Sequence, residues 1–278
     1  FLLGAHIVDG DAHIVRGGGR VVKNAAGFYL QHLLLGSLGR HGVLLDLTFK
    51  VFPTPPARAT LVVTCGILDR GLDLLIRLRQ STFEIDALEL TPAGELWLRM
   101  GGLASALDAR VDALTAFMTP LLPHLSIRRL EPAEADAVWL SFKELDWPSA
   151  GAIVKVSMSP SRIAPLDARL RALEGASGDR SIPRRYGAGG EVLWLSWPAQ
   201  IEIDVLDGLL RELALSGLVL TNAVSPGAND ASASASVAPA AATAATAGSG
   251  REPIIGVAPD PVFLGRVREA LDPRAVFA

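Results

Sequence analysis

The chain has 278 residues, half of them hydrophobic and a fifth charged, with a net charge of −3. That length and composition give one large or two ordinary domains with a real apolar core, and the mild negative charge points to neither nucleic acid nor an anionic membrane as partner. The single cysteine, Cys65, excludes an intrachain disulfide and argues against a cysteine-based metal site. No apolar run reaches the roughly 18 residues of a spanning helix, and no basic stretch precedes an apolar one at the N-terminus. A cytoplasmic location is expected. The chain opens at Phe1 directly into an apolar stretch and reads as the later part of a longer gene product.

Phe1 to Val8 and Ala12 to Arg16 are short apolar runs joined by Asp9-Gly10-Asp11, a hairpin signal. Gly17 to Gly19 ends the second run. Gly27 to Leu35 reads as a short helix, and Gly36-Ser37-Leu38-Gly39-Arg40-His41-Gly42 follows as a glycine-spaced loop. In Val43 to Phe52, Leu45, Leu47, Phe49 and Val51 alternate with Asp46, Thr48 and Lys50, which predicts a half-buried strand. Pro53, Pro55 and Pro56 read as a stiff linker.

From Ala57 the pattern gives strand Thr60–Thr64, a helix carrying Leu72, Leu75 and Ile76, and strands Ile85–Leu90 and Glu95–Met100 about a Thr-Pro-Ala-Gly turn. A helix on Leu107, Val111, Leu114, Met118 and Leu121 and a strand over Leu125–Leu130 complete a β-α-β-β-α-β unit. Pro132 to Leu145 is a helix carrying Trp139. The unit then repeats: strand Ala152–Met158, helix Ala164–Leu173, strands Ile182–Tyr186 and Glu191–Trp197, a helix on Ile201, Val205, Leu209 and Leu213, and strand Leu218–Asn222. The expected fold is α+β, a ferredoxin-like duplication with a mainly antiparallel sheet and its helices gathered on one face. Residues 223–250 are rich in Ala and Ser without large apolar side chains, and are expected to be a disordered insertion. Pro253 to Val257 and Pro261 to Leu271 close the chain as strand and helix. The domain plan is thus 1–56, 57–222, the insertion 223–250, and 251–278 completing the fold.

The glycine loop is neither common nucleotide loop. A dinucleotide loop follows a strand and opens a helix, whereas this one follows a helix and opens a strand. It also lacks the Gly-Lys-Ser/Thr of a phosphate loop. Taken with Lys23-Asn24-Ala25-Ala26-Gly27-Phe28 and Thr48-Phe49-Lys50-Val51-Phe52-Pro53, however, it resembles the end of an FAD-binding domain of the vanillyl-alcohol oxidase (PCMH) type. The stretch is most similar to the FAD-binding E subunit of glycolate oxidase. Leu271-Asp272-Pro273 to Phe277 resembles that family's closing segment, without the Asn-Pro-Gly that many members carry after it. The resemblance implies that residues 1–56 are the C-terminal part of the FAD-binding domain, whose pyrophosphate-binding subdomain lies upstream, and that residues 57–222 are the cap. It also implies that Lys23, Asn24, Gly36, Ser37, Gly39, Gly42 and Val43 lie along FAD. Tyr29 stands where many relatives have Asp. Arg40 and His41 read as surface residues at the loop tip.

Oxidation of a 2-hydroxy acid needs a base, a cation for the carboxylate and a hydride acceptor. His6, His13, His32, His41 and His124 form no His-x-x-His or His/Glu cluster, so no metal site is expected. Lys155, Arg162 and Arg184-Arg185-Tyr186 could contact an anion but read as surface; Trp194 and Trp197 read as packing on opposite faces, and Cys65 as a small buried hydrophobe. No catalytic residue stands out. The resemblance therefore implies an FAD-binding subunit beside a catalytic flavoprotein and an iron–sulfur protein, with a small 2-hydroxy acid as substrate. The rival reading is an assembly module that keeps the fold without the cofactor.

Overall fold

The computed structural model describes residues 1–21, 30–121, 126–145, 151–176, 181–221, 253–258 and 260–277. Lys23, Asn24, His124 and the insertion 223–250 lie outside them. The chain divides into two compact units: Phe1–Thr54 with Ala258–Ala278, and Pro55–Val257. Among the described residues no helix is long and apolar enough to cross a membrane.

In the first unit, β1 (Leu2–Val8), β2 (Ile14–Gly18) and β3 (Val43–Phe49) form an antiparallel sheet in the order β2-β1-β3. The hairpin is set by Asp9, whose carboxylate accepts the N–H groups of Asp11 (2.9 Å) and His13 (2.8 Å). Its tip is tied to the end of the chain. Gly10 N–H donates to the Leu271 carbonyl at 2.7 Å, and Arg274 pairs with Asp11 at 2.7 Å. Asp272 is buried and accepts from Val276 and Phe277 N–H, which fixes the turn after α7 (Pro261–Leu271). The expected half-burial of the third strand is not what the structure shows. β3 stands at the sheet edge with Val43, Leu44, Leu45, Leu47 and Phe49 all exposed, because no described element of its own unit covers either face.

The second unit carries the duplication. Its first half is β4 (Ala57–Thr64), α2 (Leu68–Gln80), β5 (Ala87–Leu90), β6 (Glu95–Gly102), α3 (Ala104–Met118) and β7 (Ser126–Arg129). After α4 (Pro132–Glu144) come β8 (Gly151–Ser157), α5 (Ile163–Ala176), β9 (Arg184–Gly187), β10 (Val192–Pro198), α6 (Ile203–Glu212) and β11 (Ser216–Thr221). With β12 (Ile254–Gly256) these make one nine-stranded sheet, β12-β11-β8-β10-β9-β5-β6-β4-β7, antiparallel at every pairing. The two halves have the same internal order and meet through their corresponding strands, β5 and β9. The predicted α+β duplication is borne out.

Alternation decides the core. Leu61 and Val63 of β4 and Leu96, Leu98 and Met100 of β6 point to one face, where α2 supplies Leu74, Leu75 and Leu78 and α3 supplies Leu107, Val111, Leu114 and Met118. Val154, Val156, Leu193 and Leu195 do the same beneath Leu166 and Leu170 of α5 and Leu206 and Leu210 of α6. Cys65 is free, buried at the edge of this core, and its thiol is pushed up to about 11 by burial. Among the described helices, α4 alone lies on the opposite face, over Val62 and Trp97.

Arg184-Arg185-Tyr186 is not a surface group, contrary to expectation: every residue of β9 is buried. Arg184 and Tyr186 face α5, where Asp167 accepts from Arg184 Nε (2.7 Å), the Tyr186 hydroxyl (2.7 Å) and Arg171 Nε. Glu174 takes a second Arg184 nitrogen at 2.9 Å. Burial raises the Asp167 pKa, but the hydrogen bonds from Arg184 and Tyr186 outweigh it and hold the carboxyl below its usual range. A depressed carboxylate contributes stability that is present above its unfolded value, near 3.8, and is lost as pH falls through the lower folded value. Replacing Asp167 with Asn leaves Arg184 charged and poorly paired in the interior. We expect a loss of about 3–5 kcal/mol in urea unfolding at neutral pH, with the gap between Asp167→Asn and wild type shrinking in acid.

Candidate functional site

The glycine loop links α1 (Leu30–Leu33) to β3. Ser37 to Arg40 is a tight turn: Arg40 N–H donates to the Ser37 carbonyl at 3.1 Å, and Leu38 and Gly39 both have positive φ, 55° and 81°. Positive φ at both central positions marks the mirror-image turn that glycine tolerates best. Arg40 locks it with a second bond, Nε to the same carbonyl at 3.2 Å. Gly36 also has positive φ, 79°, and a Cβ added to Gly36 or Gly39 would meet no described residue within 4 Å. The N–H groups of Gly36, Leu38 and Gly39 make no hydrogen bond to another described residue. The loop thus offers bare backbone donors beside open space, a surface suited to the oxygens of a dinucleotide.

Gly42 does different work. Its φ is 142°, and a Cβ there would lie 2.6 Å from the Val8 carbonyl, so it seats the start of β3 against β1. Val43 is exposed beside it. Five of the seven expected contacts, Gly36, Ser37, Gly39, Gly42 and Val43, therefore fall on one short connection. Lys23 and Asn24 lie outside the described residues.

His41 is not the surface residue that its place in the loop suggests. It is only 8 % exposed, and its Nδ1 has no hydrogen-bond partner among the described residues. Burial and the neighbouring Arg40 charge lower its pKa, so the ring is held neutral. Among the described residues no group of His, Cys, Asp and Glu could hold a metal ion.

On the second unit, the face opposite the main core gathers Trp97 and Arg99 of β6, Arg185 of β9, and Trp139 and Phe142 of α4. The sequence reading singled out neither Trp97 nor Arg99. The available signal was their alternation with Leu96, Leu98 and Met100, which sends both to the face away from the apolar core.

Comparison with solved structures gives the class. The chain aligns with 4-ethylphenol oxidase from Gulosibacter chungangensis over 98 % of its length and 64 % of that protein's, with a TM-score of 0.60 and 12 % identity. It aligns with p-cresol methylhydroxylase over 77 % and 56 %, with a TM-score of 0.55 and 12 % identity. Its fold is that of the PCMH-type oxidases. No family model matches the chain. Among curated proteins it is similar, over part of its length, to glycolate oxidase subunits, as the resemblance implied. It is 36 % identical over 120 residues to glycolate oxidase subunit GlcE of Escherichia coli, covering 40 % of this chain and 31 % of that one. It is 28 % identical over 93 residues to subunit GlcD of Bacillus subtilis, covering 34 % and 18 %. D-lactate dehydrogenase of Archaeoglobus fulgidus is 26 % identical over 116 residues, covering 38 % and 26 %. The matches span about a third or less of these relatives.

Two outcomes follow. Gly36→Ala should cost about 1–2 kcal/mol from the left-handed backbone alone, and Gly42→Ala should cost more because it adds a backbone clash; chemical denaturation ranks them. For His41, a lowered folded pKa means stability present above the ordinary value of 6.5 and lost as pH falls through the folded value. Between about pH 7.5 and 5.5 the thermal midpoint should fall, and His41→Gln should reduce that fall.

Proposed function

We propose that the chain forms part of an FAD-binding subunit of a glycolate oxidase-type oxidoreductase acting on a small 2-hydroxy acid. The observation that carries this is the Gly36–Gly42 connection, with its four positive-φ residues Gly36, Leu38, Gly39 and Gly42, and with backbone donors at Gly36, Leu38 and Gly39 that have no partner among the described residues. It supports a role for Gly36, Ser37, Gly39 and Val43 along the cofactor, with Gly42 holding the strand that carries Val43 and with Lys23 and Asn24 as further contacts. FAD, when bound, supplies the acceptor for the hydride from the hydroxyl-bearing carbon. The chain's own part is to offer neutral main-chain donors and to keep side chains out of the cofactor's path. Similarity to both GlcE and GlcD supports partnership with other subunits of such an enzyme; our reading takes these to be a catalytic flavoprotein and an iron–sulfur protein, in the cytoplasm or held at a membrane by those partners.

The second reading, an assembly module without cofactor, draws on the exposed apolar strand β3. Flavin content separates the two. In protein made from the complete gene, we expect Gly39→Val to lower bound flavin per chain several-fold, by visible absorbance. The apo form should lose only about 2–8 °C in Tm, because space at Gly39 is open and only backbone strain is added. Unchanged flavin content would return the loop to an ordinary turn, and wild-type protein without flavin would favour the assembly module.

A further inference from the structure

We infer that His41 is an acid-released latch: neutral, it holds the end of the glycine loop to the C-terminal segment, and protonated, it lets go of both. Three parts of the first unit converge on it. The turn at Leu38 and Gly39, closed by Arg40 N–H on the Ser37 carbonyl at 3.1 Å, folds the ring inward until the residue is buried. Gly42, one residue on, lies against the end of β1, where an added Cβ would come within 2.6 Å of the Val8 carbonyl. The C-terminal segment brings Asp272, itself buried, close enough for its charge to act on the ring. That segment is clamped on the hairpin: Gly10 N–H donates to the Leu271 carbonyl at 2.7 Å, and a Cβ on Gly10 would lie 2.5 Å from Asp272 Oδ1.

The ring has no place for a second proton. An imidazolium is a donor at both nitrogens, and Nδ1 is buried with no hydrogen-bond partner among the described residues. The charges that act on the ring are Arg40, on its own loop, and Asp272. Asp272 cannot take the new donor without loss, because its oxygens already accept Val276 N–H at 2.7 Å and Phe277 N–H at 3.0 Å. The hairpin carboxylates are engaged as well, Asp9 facing His13 at 3.7 Å and Asp11 facing Arg274 at 2.7 Å. Burial and then the Arg40 charge lower the His41 pKa and outweigh the pull of Asp272. The closed form is therefore favoured above the ordinary value of 6.5 and loses that advantage as pH falls through the lower folded value. Released into water, the ring takes its proton, and the loop end and the clamp lose the buried group they share. The consequence for flavin rests on the reading that the loop lies along FAD; the latch itself does not.

The test is amide hydrogen exchange, read by mass spectrometry between about pH 7.5 and 5 on protein made from the complete gene and corrected for the intrinsic pH dependence of exchange. Peptides containing Gly10, Arg40 and Val276 should open together. Their opening should rise by up to about tenfold per pH unit below the ordinary histidine value, the limit for one proton. His41→Gln and His41→Leu should make opening independent of pH over this range, and the glutamine variant decides alone if the leucine variant does not fold. His13→Gln, which removes an exposed histidine of the hairpin, should keep the wild-type profile. Opening that ignores pH in the wild type, that keeps its pH dependence in His41→Gln, that loses it in His13→Gln, or that separates the Arg40 peptide from the Val276 peptide would each overturn the inference. Bound flavin should be released at a higher pH from wild type than from His41→Gln. If exchange follows His41 and flavin release does not, the latch stands and the cofactor reading of the loop falls.

Discussion

The second unit depends on one seam. Each β-α-β-β-α-β half presents the edge of its second strand, β5 or β9, and the two edges meet in a single backbone pairing, Leu90 with Tyr186. One ladder step cannot hold two sheets in register. Side chains supply the rest, and most of them are arginines. Arg79 of α2 reaches the Gly189 carbonyl (2.8 Å) and Glu191 (2.6 Å) across the seam. Arg171 of α5 reaches back to the Pro92 carbonyl at 2.7 Å, and Arg185 crosses to Glu89. The reach of arginine, with several donors on a long stem, suits a junction where backbones diverge.

That seam explains why β9 is buried on both faces. Arg184 and Tyr186 turn toward α5 and are absorbed by Asp167, whereas Arg185 turns the other way and is absorbed by Glu89 and α4. Burial pushes the Glu89 carboxyl up, against the Arg185 charge that pulls it down. A single α4 side chain, Phe142, touches both Arg185 and Trp97, so the helix that looks like a mere connector between the repeats fixes the geometry of the sheet's second face.

Repetition made the fold legible. Apolar residues recur at period two in Leu96, Leu98 and Met100 and at helical spacing in Leu107, Val111, Leu114 and Met118, and each repeat restates the same order. Polar groups were less legible. Arg185 reads as wet only while α4 is assigned no face to cover, and Arg184 only while its partner Asp167 on α5 goes unrecognised; nothing local in the sequence gives either. His41 failed for a related reason: a histidine between arginine and glycine looks like a loop tip, yet the positive-φ turn at Leu38 and Gly39 folds it inward. Strand β3 failed in the opposite sense. Its alternation of Leu45, Leu47 and Phe49 with polar residues promises a buried side, but Leu44 on the other side is just as apolar and both are exposed.

The glycines of the loop divide along the same physical line that separates structure from function. Where a Cβ would strike backbone, as at Gly42, glycine is explained by packing, and removing it harms the fold first. At Gly36 and Gly39 packing gives no account, because nothing lies within reach of an added Cβ. The turn accounts for their positive φ but not for why three N–H groups beside it are left without partners among the described residues. Loop backbone that is conformationally strained for ordinary residues and lacks acceptors among the described residues is what our proposal uses: it leaves main-chain donors that a flavin dinucleotide could take.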